Sequence, residues 1–148
     1  MTRALISWLS TSARRLRLRG LSEAVSPRAG RPLVAGFFGA PSGIGTGGRL
    51  FLDALVDLGL DPAAADLTER FMPDQNQVDW RRGRDFPEDD GIGPVIVHAN
   101  APETPYVLSE LGASRLEGRL RVGLWAWEFE KIPKNWAHDL SWFHECWA

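Results

Sequence analysis

Gly43, Gly45 and Gly48 stand in the spacing G-x-G-x-x-G, with Gly47 as a further glycine, directly after the apolar run Leu33–Phe38. Glycines in such a turn let the backbone approach a ligand closely. A helix that starts there aims its free N–H groups at an anion, phosphate above all. The pattern does not say which phosphate-bearing ligand is meant, and a tight strand-to-helix turn that binds nothing could use the same glycines. Two later stretches carry reactive side chains. His98, Asn100 and Glu103 follow the apolar residues of VIVHAN, and Trp125, Trp127 and Glu128 lie in WAWEFEKIP. An imidazole or carboxylate at such a place is a candidate acid or base, and an indole face is a platform for the apolar side of a sugar ring. The competing readings are a satisfied buried His98 and core packing for one of the two tryptophans.

These residues need a frame that brings them together. Leu33–Phe38 reads as a strand. A helix is expected from near Gly48, with Leu50, Phe51, Ala54, Leu55 and Leu58 on its apolar face and Gly59 at its left-handed stop. Ala63–Leu67 reads as a second strand ending at Asp66, which lies 18 positions after Gly48. In a dinucleotide-binding domain a carboxylate there holds ribose hydroxyls; a polar strand end is the plainer reading. Residues 68–94 are polar and turn-rich, with Phe71, Val78, Trp80 and Phe86 as isolated anchors and Arg81, Arg82 and Arg84 as a charge run. A strand at Val95, a helix from Ala101-Pro102-Glu103 to Gly112, a strand over Leu120–Trp125, a helix from about Lys134 to Phe143 and a strand start at Glu145 complete the pattern. The expectation is a three-layer α/β/α, doubly wound sheet of about five parallel strands. Its carboxyl edge would collect Gly39–Gly48, His98–Glu103 and Trp125–Glu130 in one cleft.

Bulk properties narrow the classes. The 148 residues suit one domain, and 44% hydrophobic with 24% charged residues describes a globular chain. One cysteine, Cys146, excludes an internal disulfide and a cysteine-based zinc site, and fits a reducing cytoplasm. His138 and His144 lie six apart and do not share a helix face, so no metal site is expected. Residues 1–31 hold seven arginines against Glu23, a net of +6, whereas the whole chain carries −2. This stretch reads as a basic tail and linker, followed by the domain over 32–148. A basic amphipathic helix on an anionic membrane surface is one reading of the tail; a frayed leader, or a helix packed on a further part of the protein, is the other.

In this order, GAPSGIGTGGRLFLDAL, VIVHANAPETPYVLSELG and RLRVGLWAWEFEKIPKNWAHDLSWFHECWA resemble the amino-terminal domain of bacterial family-4 type (group 1) glycosyltransferases of the GT-B fold. The last block, with G-x-W-A-W-E, a following proline and a terminal E-x-W-A, is the most specific part. The resemblance covers residues 33–148.

The resemblance implies half of a two-domain enzyme that moves a sugar from a nucleotide-sugar donor to an acceptor glycan or lipid-linked saccharide. The nucleotide sugar would be a substrate, with no cofactor and no metal. Ser42, Gly43, Gly45, Thr46 and Gly47 would form the loop that meets the donor phosphates. His98 and Glu128 would be the catalytic candidates, and Asn100, Glu103, Trp125 and Trp127 the acceptor-side residues. Asn100 stands roughly where many relatives carry a histidine, so a catalytic imidazole does not carry over to that position. The donor domain would be a missing carboxy-terminal segment or a separate chain, and this chain alone is expected to be inactive. A cytoplasmic place, at the inner face of the membrane if the tail binds there, and no nucleic-acid partner complete the expectation. Two other classes remain open: a nicotinamide-dependent oxidoreductase domain, and a non-catalytic partner of a separate donor domain.

Overall fold

A computed structural model describes residues 18, 20, 21, 25, 28–73, 77–80, 88, 89, 91–126, 130–134 and 136–148. Five short strands form one all-parallel sheet: β1 (Leu33–Gly36), β2 (Ala63–Asp66), β3 (Val95–His98), β4 (Arg121–Leu124) and β5 (Glu145–Trp147), in the order β2-β1-β3-β4-β5. The helices are α1 (Gly43–Asp57), α2 (Thr68–Phe71), α3 (Thr104–Leu111) and α4 (Ala113–Leu116), with a 3₁₀ helix over Ala137–Trp142. This is the doubly wound α/β architecture that the alternating pattern predicts, in the flavodoxin-like strand order.

Every strand from β1 to β3 is almost wholly buried, as expected of a parallel sheet covered on both sides. Side-chain alternation divides the core in two. On one face Val34, Ala64, Ile96 and Val122 meet Leu52 of α1 together with Phe38. On the other, Leu33, Ala35, Ala63, Ala65, Val95 and Val97 meet Val107, Leu108 and Leu111 of α3, Leu116 of α4 and Trp142. Leu18 is buried in this second cluster and Leu21 packs against it, so part of the basic amino-terminal stretch contributes to the core.

Helix α1 departs from expectation in a way that matters for the site. It begins at Gly43, not near Gly48, because the Ser42 side chain caps it by accepting from the Gly45 amide at 3.3 Å. The glycines therefore lie inside its opening turns. Its buried positions are Gly45, Gly48 and Leu52, while Leu50 and Leu58 are 65% and 76% exposed. Two glycines and Leu52, with Phe51 and Leu55 partly buried beside them, press the helix against the sheet. At its other end Gly59 has φ +80°, and Leu60 N–H and Gly59 N–H donate to Leu55 and Val56 carbonyls in a Schellman stop.

The long segment after β2 is less loose than its composition implies. The Asp66 carboxylate accepts from the amide and hydroxyl of Thr68, opening the short helix α2. The Thr68 hydroxyl accepts in turn from Gly39 N–H at 3.0 Å. Trp80 packs at 5.0 Å from Phe38, centroid to centroid. The expected helix after Lys134 is the shorter 3₁₀ turn. Among the described residues no helix is long and apolar enough to cross a membrane.

Candidate functional site

Register places the strand exits at one level. Gly36 pairs with Asp66 on one side and with His98 on the other, and His98 pairs with Leu124. From β1 the chain runs into α1 on one face of the sheet. From β3 it runs into α3 on the opposite face. The crevice at this divergence, between two adjacent strands, is the topological switch point where α/β sheets bind ligands.

The glycine-rich helix start and His98 meet there. His98 is 6% exposed. Its ring lies against the bare backbone of α1: a Cβ on Gly47 would stand 3.4 Å from Nε2, and one on Gly48 would stand 3.5 Å from Nδ1. The buried His98 Nδ1 has no hydrogen-bond partner, and neither has the buried Asn100 Oδ1 two residues on. An unsatisfied buried polar atom costs about 1–3 kcal/mol, and positions of this kind are often completed by a ligand or an ordered water.

The glycines have separate duties. A Cβ on Gly45 would collide with the Ala40 carbonyl oxygen and stand 2.9 Å from that of Phe37. Gly45 thus serves close packing between the helix and its own entry loop, not the approach of a ligand. Gly48 makes room for the Phe38 ring, which would lie 2.7 Å from its Cβ. Of the glycines from Gly39 to Gly48, only Gly43 would carry a Cβ into open space. With Ser42 committed to Gly45, the amides of Gly43 and Ile44 have no intrahelical acceptor, and the Ser42 O–H remains able to donate.

Arg49 escaped the reading of the sequence. Its guanidinium donates to the carbonyls of Phe38 and Ala40 and to the Thr46 hydroxyl, the last at 2.9 Å. It fastens the entry loop to α1 and adds a full positive charge beside the partial positive charge of the helix start. Its one signal in the sequence is that it is the only cation between Leu33 and Gly59.

The remaining expected site residues divide. Glu103 sits at the start of α3 without capping it, half-buried, and burial pushes its carboxyl pKa up. Asp66 is engaged by Thr68 as a polar strand end, so the dinucleotide-type ribose contact finds no free carboxylate oxygen Oδ1 there. Trp125 takes the core-packing place expected of one of the two tryptophans. It is 2% exposed, with its ring nearly perpendicular to those of Trp136 and Phe143 at 6.2 and 6.4 Å. Trp127 and Glu128 lie outside the described residues. Among those described, no group of three or more His, Cys, Asp or Glu side chains is placed to hold a metal ion.

Burial lowers the His98 pKa below the ordinary imidazole value of 6.5. The neutral ring is therefore the form the fold prefers. Above pH 6.5 both folded and unfolded chains hold a neutral imidazole and the group has no pH-dependent effect. As pH falls through 6.5 the unfolded chain takes up the proton first, so stability declines until the lowered folded value is passed. In urea titrations between pH 7.5 and 5 (about the range where histidine acts), His98→Gln is expected to flatten this decline. A wild-type slope retained in the variant would remove His98 as its source.

No protein-family model, curated protein or solved structure matches this chain.

Proposed function

We propose that this chain is the acceptor-side half of a nucleotide-sugar-dependent glycosyltransferase, with the start of α1 meeting the donor's phosphates. The observation that carries the reading is the buried His98 imidazole, its Nδ1 without a hydrogen-bond partner among the described residues, against the glycine-lined start of a 15-residue helix at the sheet's switch point. Glycosyl transfer leaves negative charge on the departing phosphate. The Gly43 and Ile44 amides, the Ser42 hydroxyl and the Arg49 charge are suited to stabilise it without a metal. A neutral His98 has a lone pair able to accept a hydrogen bond from an acceptor hydroxyl, the first requirement of a base. The donor-binding half would come from a second α/β domain, in the same polypeptide or on another chain, and the resemblance in the blocks around Gly43, His98 and Trp125 supports that assignment. The nicotinamide reading is weakened by the engagement of Asp66 with Thr68.

The test is a titration of the purified chain with UDP, UDP-glucose and NADH, read by backbone amide NMR. Saturable shifts at Gly43, Ile44 and Gly47 with the two uridine nucleotides are expected, weakened about tenfold or more in Arg49→Ala, the scale of one lost charge-assisted contact. NADH binding tighter than either uridine nucleotide would favour the oxidoreductase class. Silence at α1 with all three would remove the phosphate site.

A further inference from the structure

A second concavity opens on the opposite side of the β1 exit from the helix start. It has a volume of about 200 Å³ and is lined by Phe37, Phe71, Met72, Glu103 and Tyr106. Phe37 and Phe71 stand 6.1 Å apart with planes at 88°, and Phe71 and Tyr106 stand 5.8 Å apart at 73°. Three rings at such angles form a corner that presents both faces and edges. Among the described lining residues, Glu103 is the one carboxylic acid.

That carboxyl is unlike its neighbours. Glu110 is paired with Arg70 at 2.7 Å, and Asp66 accepts two hydrogen bonds from Thr68. Glu103 heads helix α3 yet makes no capping bond, and among the described residues its carboxyl has no ion pair. A partly desolvated carboxylate with no opposite charge beside it is costly unless something else supplies one. Ring faces attract cations by the same electrostatics. The cavity is too small for a nucleotide sugar, since ligand sites for such molecules run from about 300 to 1,000 Å³, but it has the scale of a head group.

We propose that this pocket binds an alkylammonium group, with Glu103 as its counter-ion and Phe37, Phe71 and Tyr106 as its aromatic walls. The proposal does not depend on what binds at the start of α1. Burial already holds the Glu103 carboxyl above its ordinary range, and a cation seated beside it would bring the value down again.

Tyr106 is the only tyrosine in the chain, so ring-labelled tyrosine reports on this pocket with a single set of signals. The probes are choline and its neutral carbon isostere, 3,3-dimethylbutan-1-ol. Choline is expected to shift the Tyr106 signals saturably, and the isostere to bind about tenfold or more weakly, because only the cation gains from Glu103 and the ring faces. Glu103→Gln should remove most of that difference by weakening choline alone. Equal binding of the two probes to the unmodified chain would show an apolar cavity and overturn the proposal, as would no response to choline. Undiminished choline binding in folded Glu103→Gln would overturn it too. If that variant does not fold, the comparison of probes on the unmodified chain decides. Loss of the nucleotide response at Gly43 would leave this result unaffected.

Discussion

Gly45→Ala is expected to destabilise the protein by about 3 kcal/mol or more, the upper part of the range for overpacking a tight site. The added methyl would meet the Ala40 and Phe37 carbonyl oxygens, both backbone atoms. Neither can move aside without breaking the turn that Arg49 and Ser42 hold. The control lies two residues away. Gly47→Ala would bring its Cβ to 3.4 Å from the His98 ring, the edge of ordinary contact. In a helix interior alanine is favoured over glycine by about 0.5–1 kcal/mol. Urea midpoints should therefore fall sharply for Gly45→Ala and hold or rise for Gly47→Ala. A Gly45→Ala midpoint equal to wild type would mean the entry loop is far more pliable than its hydrogen bonds imply.

Asp89→Ala is expected to cost about 3–5 kcal/mol, the usual penalty for stranding one partner of a buried ion pair. Arg119 bonds Asp89 at 2.9 Å, with side chains 3% and 6% exposed, and its Nε donates to the Gly93 carbonyl at 2.6 Å. Without Asp89 the guanidinium stays buried with its charge uncompensated. The Asp89 carboxylate also accepts from Gly91 N–H, so the turn into β3 loses a second bond. The pair of Arg70 with Glu110 makes the contrast. Arg70 is 46% exposed, and an open pair of this kind contributes about 0–1 kcal/mol at most. Denaturant unfolding of Asp89→Ala and Arg70→Ala side by side measures the difference. Similar small losses in both would show that water reaches Arg119.

The alternation of apolar runs with helical spacing made the five strands and their parallel order legible in the sequence, because buried parallel strands have few ways to read. Gly59 and Gly112, with φ of +80° and +77°, marked two helix ends correctly, since a left-handed stop has a specific residue requirement. Phe51 and Leu55 do pack on the core as their spacing predicts, but the start of α1 and the part its glycines play in the buried face were hidden for one reason. Glycine is a poor helix former, so Gly43–Gly48 read as a turn. Yet the absence of side chains is what lets this helix lie close to Ala40, Phe38 and His98. The leucines that looked like its core face, Leu50 and Leu58, are instead exposed. Trp125 showed another limit: its burial depends on Trp136 and Phe143, which reach it from the segment beyond the strand exit. Arg49 had no pattern to betray it, because its role comes from the way the entry loop folds back on α1 to present the Phe38 and Ala40 carbonyls.

The strand order also sets the sequence of events by which this chain reaches its shape. β2 consists of three alanines and Asp66, so the β1–α1–β2 unit buries little apolar surface by itself. β1 gains its second neighbour only when β3 arrives, after the whole polar connection from residue 67 to residue 94 has been closed into a loop. The entropy of that closure falls due before the reward. Folding should thus be slow for a domain of this size, and its barrier should be crossed when Val95–His98 pairs with Leu33–Gly36. The crevice between those two strands would then be the last-assembled seam of the nucleus and the first to exist as a place: His98 meets the start of α1 only in a chain that has already committed to its fold.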